Sequence, residues 1–401
     1  MLYYYFGVPC FHGLRFYTAM QDMSFKQLMA FIRTLNNSEQ HREPAEWLIQ
    51  QIKKHDFFWA ELVSHPAASQ QEQVVKRKER ARRSYSHVLA SVKEVAQKLT
   101  TKRQAGLNRA IRVVQNMVDL IMEDDPLFKA LSTLRVYDDY TYTYSVNVAI
   151  LSMCMGKRIM LSKRSLERLG LCGLLHDLGK IEVPKKILNK PGKLTDDEFD
   201  AIKQHSLISV RLITKIRADP ERKAKILLPP FEHHLKFDLS GYPQTTRKKD
   251  ISLFGRIIAI ADVYDAITSP RIYRPTVLSP DRALGFMLEG SEKDFDPVLL
   301  KVFINMLGVY PVGTLLKLDK RVGLVTCPPL DHDKNNGNGS NGSNGSRPWV
   351  VLLARDGNGK IKKGKEVSLA ERDKHTGKYL RTIIKSLNPA DYNIQSVEFI
   401  L

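Results

Sequence analysis

Residues Leu175–Lys180 read LHDLGK and are the most informative stretch of this chain. His176 beside Asp177 can offer an imidazole and a carboxylate from one helix end, and the two carboxylate oxygens can bridge two metal ions. Gly179 permits a tight exit from the helix, and Lys180 can then reach a phosphate. The stretch therefore predicts a metal site that acts on a phosphate-bearing substrate.

More histidines and an aspartate follow at nearly even intervals, each about the length of a helix and a loop. They are His205, the adjacent pair His233 and His234, and Asp262. Helices joined by short loops would return the chain to one place at each step. This ligand mixture suits divalent iron, manganese, zinc or nickel, and two such ions form a clamp for phosphoryl transfer. A lone histidine is more often structural, but four of the eleven histidines fall in this pattern.

Three segments, taken in order, resemble motifs of the HD-GYP family of cyclic di-GMP phosphodiesterases, which belong to the HD superfamily. Residues 176–180 (HDLGK) resemble the HDxGK motif, and residues 233–243 (HHLKFDLSGYP) resemble HHE followed by DGxGYP. Residues 261–274 (ADVYDAITSPRIYR) resemble ADxxDALTSxRxYR. The resemblance runs from about Val113 to Gly308 and continues into the segment that follows.

The resemblance implies an all-helical domain with a two- or three-metal centre that hydrolyses cyclic di-GMP to pGpG or GMP. It implies that the metal ligands are His176, Asp177, His205, His233, His234 and Asp262, with His176, Asp177 and Lys180 as the catalytic residues. It implies that the substrate is bound by Lys180, Gly241, Tyr242, Pro243, Asp265, Arg271 and Arg274, and that Asp265 orients nearby groups.

The segment 141–148 (TYTYSVNV) departs from the family pattern YTxxHSxNV, because Tyr144 stands where a metal-binding His is expected. Tyr140 stands where three-metal members have a Glu. A neutral phenol, with a pKa of about 10, is a poor ligand. We therefore expect two divalent metal ions, iron, manganese or similar, and no third. Leu235 and Ser209 replace a family Glu and a family Gly.

Two alternatives follow from this departure. In the first, water or Tyr144 fills the vacant ligand position and the protein is a working phosphodiesterase. In the second, the weakened site only binds the nucleotide or a protein partner. We favour the enzyme, because Lys180, Arg271, Arg274 and the Gly-Tyr-Pro loop are kept. An HD phosphohydrolase for another nucleotide is a further alternative, which that loop disfavours.

Around these motifs the sequence predicts a mostly α fold, with an all-helical HD-type phosphohydrolase domain. The predicted divisions are a helical N-terminal region of unknown role (1–75), a basic connector and long helix (76–125), the HD-GYP-like domain (126–308) and a small β-containing appendage (309–401) with a flexible Asn/Gly/Ser loop (335–346). The connector is either coiled-coil-like or an amphipathic helix packed on the next domain, and we favour the second. Asp296, Pro297 and Gly308 predict the limits of the last helix.

Charge and cysteine content set the remaining expectations. The formal net charge of +19 attracts polyanions. A nucleic-acid binder driven by charge alone is an alternative, but we expect no nucleic-acid partner, because no such module is recognisable. The densest basic run, Lys76–Arg83, is typical of a solvated helix face. Four scattered cysteines and no membrane-spanning stretch predict a cytoplasmic protein. Expected partners are cyclic di-GMP, a signalling protein bound through the N-terminal region, and a second copy of the chain.

Overall fold

The structure is a computed structural model. The described residues are 14–16, 24–38, 44–55, 57, 59–62, 70–123, 140–246, 250–269, 277–319, 321–327, 347–355, 361–373, 375–387, 389–392, 394 and 399. They separate into two compact units, Met1–Arg77 and Lys78–Leu401. The predicted loop at 335–346 lies outside the described residues.

The first unit contains two helices and a small strand pair. Its helices are α1 (Phe25–Ser38) and α2 (Pro44–Lys54), and strand β1 (Leu14–Phe16) pairs antiparallel with β2 (Ala60–Leu62). Its buried core consists of Phe31, Phe57, Trp59 and Ala60. The sequence predicts a mostly helical pattern here and no strand, because three-residue strands are too short to show an alternating pattern.

The predicted connector is two helices, α3 (Gln70–Thr100) and α4 (Asn108–Glu123). The chain breaks between them around Lys102, whose φ of 53° lies in the left-handed region. On α3, Tyr85, Val88 and Val92 are buried at helical spacing in the main core. Helix α3 therefore packs on the domain as an amphipathic helix, and α4 begins after the break.

The region that carries the metal motifs is helical throughout its described part. Its helices are α5 (Tyr140–Arg158), α6 (Lys163–Leu175), a 3-10 turn (Leu178–Glu182), α7 (Lys185–Leu188), α8 (Asp196–Lys203), α9 (His205–Lys215), α10 (Pro220–Glu232), α11 (Leu253–Thr268), α12 (Pro280–Glu289) and α13 (Pro297–Leu307). Helix α5 packs against α6 and α11 and is buried along most of its length. These three helices form the centre of the core.

Helix limits follow the capping residues. Asp296 accepts hydrogen bonds from the backbone N–H groups of Val298 (2.9 Å) and Leu299 (3.0 Å), as expected of an N-cap. Pro297 occupies the first turn, and Gly308 ends the helix with a φ of 79°. The predicted limits of α13 are therefore confirmed.

The C-terminal appendage is a five-stranded antiparallel sheet. Its strands are β3 (Leu315–Leu318), β4 (Val322–Cys327), β5 (Trp349–Arg355), β6 (Ile361–Ser368) and β7 (Ile383–Leu387), in the order β6-β5-β4-β3-β7. Each face of the sheet has its own apolar cluster. The mostly α fold with a β appendage is thus confirmed. None of the helices that the structure describes combines the length and the apolar character needed to cross a bilayer.

Candidate metal centre

Three of the predicted histidines lie at helix ends and are oriented in the same way. In each, the Nδ1–H donates to a backbone carbonyl three residues earlier: His176 to Gly173 (2.6 Å), His205 to Ile202 (2.6 Å) and His233 to Pro230 (2.8 Å). A carbonyl oxygen can only accept, so Nδ1 carries the proton in each ring. In the neutral form of each ring, the Nε2 atom is then left with a lone pair directed into the site, as in metal-binding histidines.

The carboxylate of Asp177 faces two sets of imidazoles. Its Oδ1 atom lies 3.2 Å from Nε2 of His205 and 3.9 Å from Nε2 of His233, and its Oδ2 atom lies 3.2 Å from Nε2 of His176. The two oxygens of one side chain thus point to different ligands. This is the arrangement expected of a carboxylate that joins two metal positions.

Asp262 and His234 complete the cluster. Oδ1 of Asp262 lies 3.5 Å from Nε2 of His176, and Oδ2 lies 3.8 Å from Nδ1 of His234. The ligand atoms fall into two groups that share Asp177, each with its atoms within 4.8 Å of one another. The groups are Asp177, His205, His233 and His234, and His176, Asp177 and Asp262. The structure thus brings all six predicted ligands together.

The metal-ligand atoms of this cluster require a cation. The Nε2 atoms of His205 and His233 lie 3.2 Å apart, and both present lone pairs once Nδ1 is protonated. Among the described side chains, Nε2 of His176 and Oδ1 of Asp177 are buried and have no hydrogen-bond partner. Buried acceptors without a donor are costly. A divalent metal ion satisfies all of these atoms at once, so the residues fit such an ion.

Protonation in the cluster is governed by its carboxylates. Burial opposes the ionisation of Asp177, but the charges of Lys180 and His176 outweigh it and hold the pKa of this carboxyl well below its usual range. Burial also opposes the charged form of His176, but the carboxylates of Asp177 and Asp262 raise its pKa to about 10. In the absence of metal, the site therefore retains a proton between its two carboxylates.

The histidine pair is held neutral. Burial lowers the pKa of His234 to about 3, and burial with the neighbouring imidazoles lowers the pKa of His233 well below its usual value. Neutral imidazole is the form that binds metals. At neutral pH, both side chains are therefore already in the state that a ligand requires.

Tyr144 reaches the cluster at the position where the family pattern has histidine. Its hydroxyl donates a short hydrogen bond to Oδ1 of Asp262 and lies 2.7 Å from the backbone oxygen of the same residue. The amine of Lys180 lies 5.5 Å from the centre of its ring. The phenol thus holds the oxygen of Asp262 that also faces His176.

The turn of the LHDLGK stretch needs a glycine. A Cβ atom on Gly179 would lie 2.1 Å from the carbonyl oxygen of His205. The hydroxyl of Ser209 accepts from the N–H of Gly179 (2.8 Å) and donates to the carbonyl of His176 (2.9 Å). Ser209, which replaces a family glycine, therefore ties this turn to α9.

The Gly-Tyr-Pro loop, Gly241–Pro243, lies against His234. A Cβ atom on Gly241 would lie 2.0 Å from the carbonyl oxygen of His234, so the close approach requires glycine. The ring of Tyr242 stacks on the imidazole of His234, with ring centres 4.5 Å apart. The loop thus lines the cluster on its solvent side, since Tyr242 is only half-buried.

The structure describes some of the other residues that the sequence singled out, and others lie outside its described part. Lys180 lies with its amine 2.6 Å from Oδ2 of Asp177. Asp265 is 2% exposed and lies one turn after Asp262, where it supports the helices and does not face the solvent. Arg271 and Arg274 lie outside the described residues, as does the side chain of Tyr140. Leu235, in place of a family Glu, is buried.

Sequence reasoning missed three polar residues that support the site. Tyr85 and Asn147 are buried and hydrogen-bonded to each other. Glu232 is fully buried and accepts a hydrogen bond from the N–H of Ser252 (3.0 Å), which ties the end of α10 to the start of α11. A charged residue directly before the histidine pair was the available signal for Glu232. The sequence contains no comparable signal for Tyr85.

Comparison with known proteins agrees with this geometry. The family described as "HD domain" matches residues 115–299. A cyclic di-GMP phosphodiesterase of Pseudomonas aeruginosa is 39% identical over 197 residues, which are 49% of this chain and 46% of that protein. A cyclic di-GMP phosphodiesterase of Thermotoga maritima is 31% identical over 222 residues, which are 54% of this chain and 56% of that protein.

A relative with a different named substrate also matches. A 3'3'-cGAMP-specific phosphodiesterase of Vibrio cholerae is 33% identical over 179 residues, which are 42% of this chain and 36% of that protein. The chain spans about half or less of the length of most of the curated relatives it matches. Residues 115–299 thus match the HD domain family, and the relatives confirm the resemblance of this region to the HD-GYP proteins.

Proposed function

We propose that this protein is a metal-dependent phosphodiesterase that hydrolyses cyclic di-GMP to pGpG or GMP in bacterial second-messenger signalling. The observation that carries the proposal is the placement of Asp177. Its two carboxylate oxygens face separate groups of ligand atoms, which is the requirement for a site with two metal ions. The cyclic di-GMP phosphodiesterases among the relatives support this choice of substrate.

We propose that the ligands provide two positions for divalent ions, iron or manganese. His205, His233 and His234 would hold one ion, His176 and Asp262 the other, and Asp177 both. Such a pair of ions supplies the activation of water and the neutralisation of charge on the phosphate. We propose no third ion, because Tyr144 already hydrogen-bonds Asp262 and offers no imidazole.

The remaining residues would bind and orient the substrate. The amine of Lys180 lies at the edge of the cluster and is partly exposed, so it can exchange its contact with Asp177 for a phosphate oxygen. Tyr242, which is stacked on His234 and half-buried, would contact the bound nucleotide. Arg271 and Arg274 are proposed to contact the phosphates, as the resemblance implies.

One observation favours a second function, a module that binds cyclic di-GMP or a protein without hydrolysis. Tyr144 takes the place of a ligand on the side of His176 and Asp262, so this ion has fewer protein ligands than its neighbour. Weak binding of this ion would leave the pocket intact while lowering turnover. Both functions predict binding of the nucleotide, and only the first predicts hydrolysis.

The test is cyclic di-GMP hydrolysis by the purified full chain, loaded anaerobically with ferrous iron or with manganese. Products are separated by chromatography, and 3'3'-cGAMP is run beside cyclic di-GMP. His176→Ala and Asp177→Ala are the matched variants. We expect turnover of cyclic di-GMP that falls at least about 100-fold in both variants, because each removes a ligand.

Other outcomes separate the alternatives. Tight binding of cyclic di-GMP by folded, metal-loaded protein without any turnover would establish the binding module. Faster hydrolysis of 3'3'-cGAMP would change the substrate and keep the reaction. Equal turnover in wild type and His176→Ala would remove the metal centre from the mechanism.

A further inference from the structure

A chain of buried hydrogen bonds connects α3 to the helices of the metal centre. The hydroxyl of Tyr85 donates to Oδ1 of Asn147 on α5 (3.0 Å), and Nδ2 of Asn147 donates to Oδ1 of Asp265 on α11 (3.3 Å). All three side chains are at most 3% exposed. Tyr85 precedes the residues that match the HD domain, which begin at 115.

The chain of hydrogen bonds ends one helical turn from the metal ligands. Asn147 follows Tyr144 by three residues on α5, and Asp265 follows Asp262 by three residues on α11, so each pair shares a helix face. Tyr144 hydrogen-bonds Asp262, and Asn147 hydrogen-bonds Asp265. Helices α5 and α11 are therefore joined by hydrogen bonds on two successive helical turns. The first turn includes the metal ligand Asp262, and we call the next turn, with Asn147 and Asp265, the second level.

Tyr85 determines the orientation of the second level. A carboxylate accepts hydrogen bonds, so Asn147 must turn its NH₂ group toward Asp265 and its oxygen toward α3. The hydroxyl of Tyr85 donates to this oxygen and fixes that orientation. Without the hydroxyl, the oxygen of the Asn147 amide loses this donor, and the orientation of the amide is held less firmly. The hydrogen bond from Asn147 to Asp265, which joins α5 to α11, is then weakened.

We propose that Tyr85 is a positioning residue for the metal centre, acting through Asn147 and Asp265 on the placement of Asp262. The inference rests on the metal centre proposed above. It makes α3, which precedes the matched domain, a structural part of the site. Movement of α3 would then change metal affinity without any contact between α3 and the metal.

The experiment measures binding of Mn²⁺ to metal-free full chain by calorimetry, for wild type and Tyr85→Phe. The phenylalanine keeps the ring and removes only the hydroxyl. We expect the weaker of two binding constants to fall roughly fivefold, below the 10–100-fold typical of groups that contact a ligand directly. The stronger site should change by less than about twofold, because Asp262 is not among its ligands.

Val88→Ala is the matched control, since Val88 is buried on the same face of α3 and carries no polar atom. We expect it to lower the melting temperature and to leave both Mn²⁺ constants within about twofold of wild type. Equal Mn²⁺ binding by wild type and Tyr85→Phe would overturn the role of Tyr85 alone, as would an equal loss in Val88→Ala. Absence of Mn²⁺ binding in the wild type would overturn the metal centre, and the inference with it.

Should Tyr85→Phe fail to fold, Asn147→Asp provides a second variant. It replaces the amide between Tyr85 and Asp265 with a carboxylate. Repulsion from Asp265 should then weaken the same Mn²⁺ site by roughly fivefold or more. Unchanged Mn²⁺ binding in this variant would also contradict the proposal.

Discussion

At the scale of single residues, the site depends on the direction of a few hydrogen atoms. The backbone carbonyls that accept from His176, His205 and His233 fix the tautomer of each ring. The lone pairs of Nε2 are therefore directed inward before any metal binds. This preorganisation lowers the cost of assembling the ligand set, because none of the three rings has to rotate.

Tyr144 gives the clearest prediction at this scale. Tyr144→His places an imidazole where the family pattern has one and should raise Mn²⁺ affinity at the weaker site by about tenfold, with faster hydrolysis. Calorimetry and product analysis measure the two effects. Tyr144→Phe is the control and should give no gain, since it removes the hydroxyl bond to Asp262 and supplies no ligand. A histidine variant indistinguishable from the phenylalanine variant would contradict the assignment of this position.

The predicted ligands came from residue type and spacing, and the structure brings them together. Residue type could not indicate what Tyr144 does, because a phenol can be a ligand, a packing group or a hydrogen-bond donor. Its short bond to Asp262 depends on how closely α5 approaches α11. The role of Tyr85 is still harder to predict from the sequence, because 62 residues separate it from Asn147 and no pattern connects the two.

At the scale of elements, close approach of backbone segments explains which glycines matter. Gly179 and Gly241 each lie against the carbonyl oxygen of a histidine residue, and a Cβ atom at either position would come within 2.1 Å of that oxygen. Gly285, in contrast, lies within α12 and has open space around it. The sequence marks Gly179 and Gly241 through their motifs, and it gives no reason to treat Gly285 differently.

This contrast makes a paired prediction. Gly179→Ala should lower the free energy of unfolding by about 2 kcal/mol or more, because the backbone of α9 must move. Gly285→Ala should raise it by up to about 1 kcal/mol, because alanine favours a helix over glycine. Urea unfolding followed by circular dichroism measures both. A Gly179→Ala variant as stable as wild type would show that the approach of Gly179 to α9 is unimportant.

Most helices were predictable from the spacing of their apolar residues and from their caps. The break between α3 and α4 was not, since apolar residues continue at helical spacing on both sides of it. The break contains the left-handed backbone of Lys102, and lysine is not a residue that marks such a position. The strand pair β1 and β2 was missed because each strand has only three residues.

At the scale of the whole molecule, charge is the dominant feature. The formal net charge is +19, and the proposed substrate carries two phosphodiester charges. Long-range attraction should raise the rate of encounter at low salt, because surface charges interact over about 10 Å at 0.1 M ionic strength and over about 3 Å at 1 M. The protein as a whole therefore favours anionic small molecules.

The corresponding prediction concerns salt. Raising the chloride concentration from about 0.05 to 0.5 M should lower kcat/KM for cyclic di-GMP severalfold and leave kcat nearly unchanged, since screening acts before the substrate is bound. Steady-state kinetics at several salt concentrations separate the two constants. A fall in kcat with constant KM would instead locate the effect of salt in the bound complex.

Tyr85, Val88 and Val92 of α3 are buried in the main core, and this determines where the chain can be truncated. Residues 115–299 are the part that sequence comparison marks out, but the smallest piece able to fold around the site begins earlier, before α3 reaches Tyr85. A fragment truncated to the matched limits would expose the apolar surface that α3 covers, and it would tend to aggregate. Anyone who wishes to express, crystallise or inhibit this domain should keep α3 attached.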